Sequence, residues 1–213
     1  CARLGLAAIV GLPTLGEGGA VFNSHVYFDA TGRELGRVHK RGLTDSEATF
    51  FARGGVRGWT AIGGVLATSV LCREMLDVEA LLPELRASDD GRPRVIFWPS
   101  YVAESDAEQT ALCQAYRAGA EVLARELDAW VWQSNWPESL NAPASRGFGA
   151  GVVIAPDDLV NFVPLEMAQK GVVATQYPMG PVEELVLLKL DFLGLSNLTI
   201  INNALRIIRR AYG

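Results

Sequence analysis

The chain has 213 residues and a formal net charge of -5, with 24 acidic and 19 basic side chains. Its 49% hydrophobic and 20% charged content is typical of one large or two small globular domains. The negative charge argues against a bulk electrostatic attraction to nucleic acid. The longest apolar run, LVLLKLDFLGL at 185–195, is interrupted by Lys189 and Asp191, so it does not predict a membrane span.

Cysteine usage favours a reducing, cytoplasmic location. Cys1, Cys72 and Cys113 form no disulfide framework, and no secretory signal opens the chain. Because the first residue is Cys1 and it precedes a strand-like apolar run, we expect the chain to be truncated or processed at its start.

The first 155 residues alternate strand-like and helix-like segments. Apolar runs bounded by turn residues predict strands at 4–11, 22–29, 33–40, 65–71, 94–100 and 130–135, the first of them buried. The second and third flank the turn Ala30-Thr31-Gly32 and therefore form a hairpin. Helices are predicted at 78–87 and after a capping box of Ser105 and Glu108. The core side of the second helix is expected to carry Leu112, Tyr116, Gly119, Val122, Leu123 and Leu127. This alternation predicts an α/β layered fold.

Two side chains in these segments have a chemical and a structural interpretation. Cys72 lies between a strand and a helix, where the helix N-terminus would favour the thiolate, but a lone cysteine is more often a core residue. Lys40 ends the hairpin, where a solvated lysine is the common outcome, whereas a lysine beside a thiol stabilises thiolate and oxyanion. Glu47 and Glu74 are nearby in sequence, and each, taken alone, is expected to be a surface acid.

Several blocks, in order, resemble the nitrilase, or carbon–nitrogen hydrolase, family. They are FNSHVYFDATGRELGRVHKRGL at 22–43, TDSEATFFARG at 44–54, SVLCREMLD at 69–77, PRVIFWPS at 93–100, AGAEVLARELDAWVWQSNWPES at 118–139 and SRGFGAGVVIAPD at 145–157. The resemblance implies part of an αββα sandwich. It also implies cleavage of a small-molecule amide or nitrile through a thioester or thioimidate, without a cofactor and in a homodimer.

The same resemblance assigns roles to individual residues. It places the nucleophile at Cys72, the triad lysine at Lys40, an accompanying acid at Glu47 and a substrate-binding position at Asn135. The family's general-base glutamate normally lies upstream of the hairpin, at the end of its first long strand. Glu17 stands in a Gly-rich loop instead, so we expect negligible amide hydrolysis by this chain.

The last third of the chain resembles a different family, the alpha subunit of bacterial DNA polymerase III. The matching blocks are GVVIAPDDLVNFVPL at 151–165, TQYPM at 175–179 and LLKLDFLGLSNLTII at 187–201. They imply a palm fragment in which Asp191 is a catalytic aspartate that binds Mg²⁺, with DNA as partner. No segment of the chain matches the strand that carries the other two aspartates, and a lone Asp does not support two-metal phosphoryl transfer.

The predicted domains are therefore residues 1–155, hydrolase-like, and 156–213, polymerase-like. A strand is predicted at 172–176 and a final helix at 198–211. Three arginines in the last turns of that helix are interpreted as complementing its dipole rather than binding phosphate. Three functions stay open: a hydrolase with a foreign tail, a polymerase fragment with a foreign N-terminal block, and a non-functional fusion.

Overall fold

Three antiparallel strands in the order β1-β2-β3 form the first sheet: β1 Ala8–Leu15, β2 Val21–Phe28 and β3 Glu34–His39. The turn between β2 and β3 is organised by Asp29, whose Oδ1 accepts hydrogen bonds from the backbone N–H groups of Thr31 and Arg33 at 2.9 and 3.0 Å. Gly32 there has a φ of +85°, which a residue without Cβ adopts without strain. The predicted hairpin is confirmed.

The prediction of a buried first strand at 4–11 is wrong. The strand begins at Ala8, and Leu4 and Leu6 before it are 69% and 59% exposed. Within the described residues β1 pairs with β2 alone, so it is an edge strand and much of its apolar run faces outward. An apolar run indicates a strand but does not determine how many neighbours cover it.

A five-stranded mixed sheet follows in the order β4-β5-β6-β7-β8. Its strands are β4 Thr60–Ile62, β5 Val65–Ser69, β6 Arg94–Ser100, β7 Ala129–Asn135 and β8 Val152–Ile154. The central strands β5, β6 and β7 run parallel, while β4 and β8 pair antiparallel at the two edges. The carboxyl ends of the three parallel strands consequently lie at the same end of the sheet.

Two helices, α1 Val78–Arg86 and α2 Ala107–Leu127, pack on one face of this sheet. Their buried side chains meet Ile96, Trp98 and Val131 of the strands, and Trp98 contacts Tyr116 edge to face at 5.1 Å between ring centroids. The helical period predicted most of this face, but Val122 is 42% exposed and lies outside it. Ser105 of the predicted capping box lies outside the described residues.

The opposite face of the five-stranded sheet packs on the hairpin sheet. Tyr27 and Val38 from the hairpin meet Ile62 and Ala67 from the larger sheet, with Phe97 beside them. Alternation along β6 explains the two-sided core, since Phe97 faces the hairpin sheet while its neighbours in sequence face the helices. Helices, sheet and sheet form three layers of the predicted α/β sandwich.

The structure, a computed structural model, describes residues 1–86, 91–100, 107–135, 152–158, 161, 165–167 and 173–175. The chain divides into two compact units, Cys1–Asp158 and Leu159–Gly213. In the second unit β9 Leu165–Met167 pairs antiparallel with β10 Val173–Thr175. Asp191 and the predicted helix 198–211 lie outside the described residues. No helix in the described ranges has both the length and the apolar character needed to cross a membrane.

Candidate functional site

An ion pair between a buried lysine and a half-buried glutamate lies where the hairpin ends. Lys40 follows β3 and is only 3% exposed, and its Nζ donates to both carboxylate oxygens of Glu47 at 2.6 Å. The Glu47 carboxylate also accepts the backbone N–H of Thr44 at 2.8 Å and the side-chain amide of Asn23 at 3.3 Å. The lysine is therefore held in one place rather than solvated, contrary to the commoner interpretation of a strand-end lysine.

The environment keeps Glu47 ionised. Burial alone would raise the pKa of this carboxyl, but hydrogen bonds from the Lys40 ammonium and from Thr44 lower the pKa below its ordinary value. A carboxylate bonded in this way is a weak base, and it fits a role in fixing the ammonium better than one in taking a proton.

Cys72 occupies a sharp turn between the parallel sheet and the helical layer. It is the first residue of a short 3-10 helix, Cys72–Asp77, which runs into α1. Its φ of +48° is left-handed, a conformation that costs a residue with a Cβ about 1–2 kcal/mol. The indole N–H of Trp98 donates to the Cys72 carbonyl at 3.3 Å, so the turn is held from the sheet side. The side chain is half-buried.

Glu74 is not the surface acid expected from its sequence context. It is fully buried, and its carboxylate forms a bidentate pair with Arg57, with both N–O distances at 2.6 Å. Burial alone would raise the pKa of Glu74, but the Arg57 guanidinium and the backbone amides of Arg41 and Leu71 hold it below its ordinary value. Nothing in the local sequence distinguishes such an acid from an exposed one, because its partner is 17 residues away.

The parallel strands bring Asn135, the predicted substrate-binding residue, to the same end of the sheet as Cys72. Asn135 is the last residue of β7 and pairs in register with Ser100 at the end of β6. Cys72 follows the end of the neighbouring strand β5. Asn135 is half-buried there, and its binding role stays a prediction. Glu17, which the sequence argument set aside as a base, is exposed in a turn after β1.

Two residues that contribute to this region were not predicted. Arg57 lies in a Gly-rich loop without regular structure, and a single arginine there gives no signal of burial. Asn23 was part of the hairpin motif, but its contact with Glu47 depends on a loop that folds back across 24 residues. Among the described residues, no group of three or more His, Cys, Asp or Glu side chains is placed to hold a metal ion.

Comparison with solved structures identifies the fold of the first unit. A carbon–nitrogen hydrolase from Helicobacter pylori G27 superposes with a TM-score of 0.60 and 17% identity, covering 73% of this chain and 56% of the other. An amidase from Nesterenkonia sp. AN1, solved after Michael addition of acrylamide at its active-site cysteine, gives 0.54 and 17%, covering 73% and 57%. The fold is thus that of the carbon–nitrogen hydrolases, and this chain spans a little over half the length of these two proteins.

Sequence comparison finds a second similarity, in a later segment of the chain. The family model "Bacterial DNA polymerase III alpha NTPase domain" matches residues 143–194. The DNA polymerase III subunit alpha of Thermus aquaticus is 51% identical over 76 residues, which is 36% of this chain and 6% of that protein. The chain therefore joins a carbon–nitrogen hydrolase fold to a segment similar to a small part of a polymerase subunit. β8 belongs to the first compact unit and also lies within the polymerase family match.

Proposed function

We propose that residues 1–158 are a cytoplasmic, cysteine-dependent carbon–nitrogen hydrolase domain that reacts with a small-molecule amide or nitrile at Cys72, without a cofactor and as a homodimer, but with negligible turnover because a general base is missing from the described residues. The observation that carries the proposal is the pair of buried Lys40 with Glu47, together with the Glu74 carboxylate. That carboxylate binds both the backbone after Lys40 and the backbone before Cys72. Burying an ammonium group costs free energy unless its charge is paired, and here the Glu47 carboxylate pairs with the Lys40 ammonium.

In the proposed reaction the Cys72 sulfur attacks the amide carbon, and the C=O electron pair moves to the oxygen. The Lys40 ammonium stabilises the thiolate first and the tetrahedral oxyanion afterwards. The electron pair on the oxyanion then re-forms the C=O bond as the C–N bond breaks. The amine leaves with a proton that balances the one the thiol has released to solvent, and a thioester remains on the sulfur. With a nitrile the same sulfur attacks the C≡N carbon, and the nitrogen takes the electron pair and the proton that the thiol releases, which gives a thioimidate. Asn135 at the neighbouring strand end would contact the acyl group.

Glu47 and Glu74, the acids bonded to the Lys40 side chain and to the backbone before Cys72, already have partners. Glu47 accepts from Lys40, and Glu74 is buried under Arg57, so neither is proposed as the base that takes the thiol proton. We therefore predict modification of Cys72 with negligible amide turnover. Robust turnover that is lost on Cys72→Ala would show that an acid set aside here, Glu17 or Glu47, serves as base.

Acrylamide tests the nucleophile directly. Michael addition joins the sulfur to the β-carbon of the reagent while the α-carbon takes a proton, so no leaving group or base-dependent hydrolysis is involved. Peptide mass spectrometry should show Cys72 reacting faster than the exposed Cys1, which is an internal reference. Lys40→Met should slow Cys72 and leave Cys1 unchanged. Equal rates at the two cysteines in the unmodified chain would refute the proposal.

The polymerase-like segment supports a second, weaker candidate function, nucleotidyl transfer with Mg²⁺ and DNA. The observation favouring it is the 51% identity to a polymerase alpha subunit. Asp191, the one proposed metal ligand, lies outside the described residues, and we derive no step through the metal. We predict that primer extension by the purified chain is undetectable and that Asp191→Ala leaves Cys72 reactivity unchanged. Extension abolished by this substitution would make the polymerase function primary.

A further inference from the structure

One buried carboxylate receives hydrogen bonds from two separate loops. Glu74 Oε1 accepts the backbone N–H of Arg41 at 2.6 Å and that of Gly42 at 3.3 Å. Its other oxygen, Oε2, accepts the backbone N–H of Leu71 at 2.7 Å. The carboxylate is fully buried, so these bonds do not compete with water.

Each of these loops carries one of the proposed reacting groups. Arg41 is the residue immediately after Lys40, and Leu71 is the residue immediately before Cys72. Arg41 and Glu74 are 33 residues apart, so the contact joins two parts of the chain that are distant in sequence. The ion pair of Arg41 with Glu84 in α1 links the same two parts. The backbones flanking the ammonium and the thiol thus share a single anchor.

The anchor itself is fixed to the sheet. The Arg57 guanidinium binds Glu74 through two parallel hydrogen bonds, a geometry that defines the orientation of the carboxylate as well as its position. Arg57 also donates to the carbonyl of Ser69 at 2.7 Å, at the end of β5. The Ser69 hydroxyl is in turn bonded to Tyr27 at 2.6 Å and to His25 at 2.8 Å in the hairpin sheet.

The fit between the two loops leaves little free space. A Cβ added to Gly42 would lie 3.0 Å from Glu74 Cγ and 3.0 Å from a carboxylate oxygen of Asp77. Any side chain there would push the Lys40 loop away from the Cys72 helix by a few tenths of an ångström. Gly42 therefore permits the short contact that the carboxylate completes.

We propose that Glu74 is a positioning residue that sets the placement of the Lys40 ammonium relative to the Cys72 thiol. The inference rests on the proposed function, since it assigns Cys72 and Lys40 their roles. Misplacement of a reacting group by about 1 Å costs on the order of a hundredfold in rate, so an anchor of this kind controls reactivity without touching substrate. A purely structural acid would stabilise the fold and leave the pH dependence of the thiol unchanged.

The test measures acrylamide addition at Cys72 across pH in the full chain, with Cys1 as internal reference. Glu74→Gln keeps the shape but removes the charge and one acceptor. It should slow addition at neutral pH by about tenfold to a hundredfold and move the Cys72 profile to higher pH, with Cys1 unaffected. Glu74→Asp, which keeps the charge on a shorter side chain, should recover part of this loss.

A second variant covers the case in which Glu74→Gln does not fold. Gly42→Ala leaves every charge in place and should move the Cys72 profile in the same direction by a smaller amount. Circular dichroism checks the fold of each variant. If Glu74→Gln folds and its pH profile of Cys72 addition is unchanged, the positioning role of Glu74 is wrong while the proposed function stands. If Glu74→Gln does not fold, the same result for a folded Gly42→Ala leads to the same conclusion. An unmodified chain whose Cys72 reacts like Cys1 would overturn this inference together with the proposed function.

Discussion

At the scale of single residues, the pair of Arg57 and Glu74 has the largest expected effect on stability. Their side chains are 2% and 0% exposed. Removing the guanidinium leaves a buried carboxylate without a counter-charge, so Arg57→Ala should lower the free energy of unfolding by about 3–5 kcal/mol. Urea unfolding followed by tryptophan fluorescence measures the change.

The matched control is an exposed ion pair. Arg86 binds Glu126 with side chains 54% and 49% exposed, and Arg86→Ala should change stability by no more than about 1 kcal/mol. Similar losses in the two variants would contradict the conclusion that burial, rather than the ion pair itself, makes Arg57 necessary.

The two acids of the region predict the response to acid. The pKa of Glu47 and that of Glu74 are lowered in the folded chain from an ordinary value of 4.5. The unfolded chain therefore binds more protons just below that pH, so their stabilisation is complete above pH 4.5 and is lost as pH falls through the lowered values. The urea concentration at the unfolding midpoint should therefore decrease as the pH is lowered below 4.5. Glu47→Gln should flatten the decline, and an equally steep decline in that variant would exclude Glu47 as a contributor.

At the scale of elements, the loop after the Lys40–Glu47 pair packs back on the end of β3. Gly54 donates its N–H to the Lys40 carbonyl at 2.9 Å, and a Cβ there would lie 2.3 Å from the carbonyl oxygen of His39. Because backbone cannot move aside as a flexible side chain does, Gly54→Ala should cost about 1–3 kcal/mol of unfolding free energy.

The neighbouring glycine gives the control for this loop. A Cβ at Gly55 would meet nothing within 4 Å, so Gly55→Ala should change stability by less than about 0.5 kcal/mol. Thermal unfolding of both variants decides the matter. Equal effects would mean that the loop responds to lost glycine flexibility rather than to the close approach at His39.

Elements with strong local signals were predictable, and contacts across the chain were not. The strand Arg94–Ser100 has the bounds predicted from its apolar run, and the hairpin around Gly32 follows from its turn chemistry. The short strand Thr60–Ile62 was missed because three residues carry too little periodicity. Burial of Lys40 and Glu74 depends on partners brought together by the layers, which local sequence does not encode.

At the scale of the whole molecule, β8 is where two kinds of sequence meet. Val152–Ile154 pairs antiparallel with β7 and completes the edge of the five-stranded sheet in the hydrolase-like unit. The same residues lie inside the 143–194 match to the polymerase family. A short, wholly apolar strand fits either context, so a chain joined here keeps its edge strand whichever family supplied it.

The anchor at Glu74 also has a consequence for the order of folding. Lys40 and Glu47 are seven residues apart, whereas Arg41 and Glu74 are separated by 33. Closing the longer loop costs roughly 1 kcal/mol more chain entropy, and it also requires the parallel strands, which are slow to pair. The ion pair should therefore form early with the hairpin, and the complete site should assemble in the last kinetic phase.

Pulses of N-ethylmaleimide during refolding can follow this order, since Cys113 is a buried residue of α2 and reports on the helical layer. The native reactivity of Cys72 should return no earlier than the protection of Cys113. Recovery of Cys72 while Cys113 still reacts would show that the site assembles before its scaffold. On the expected order, a chain released from synthesis passes through a state in which its lysine is already paired while its cysteine still behaves as an ordinary thiol.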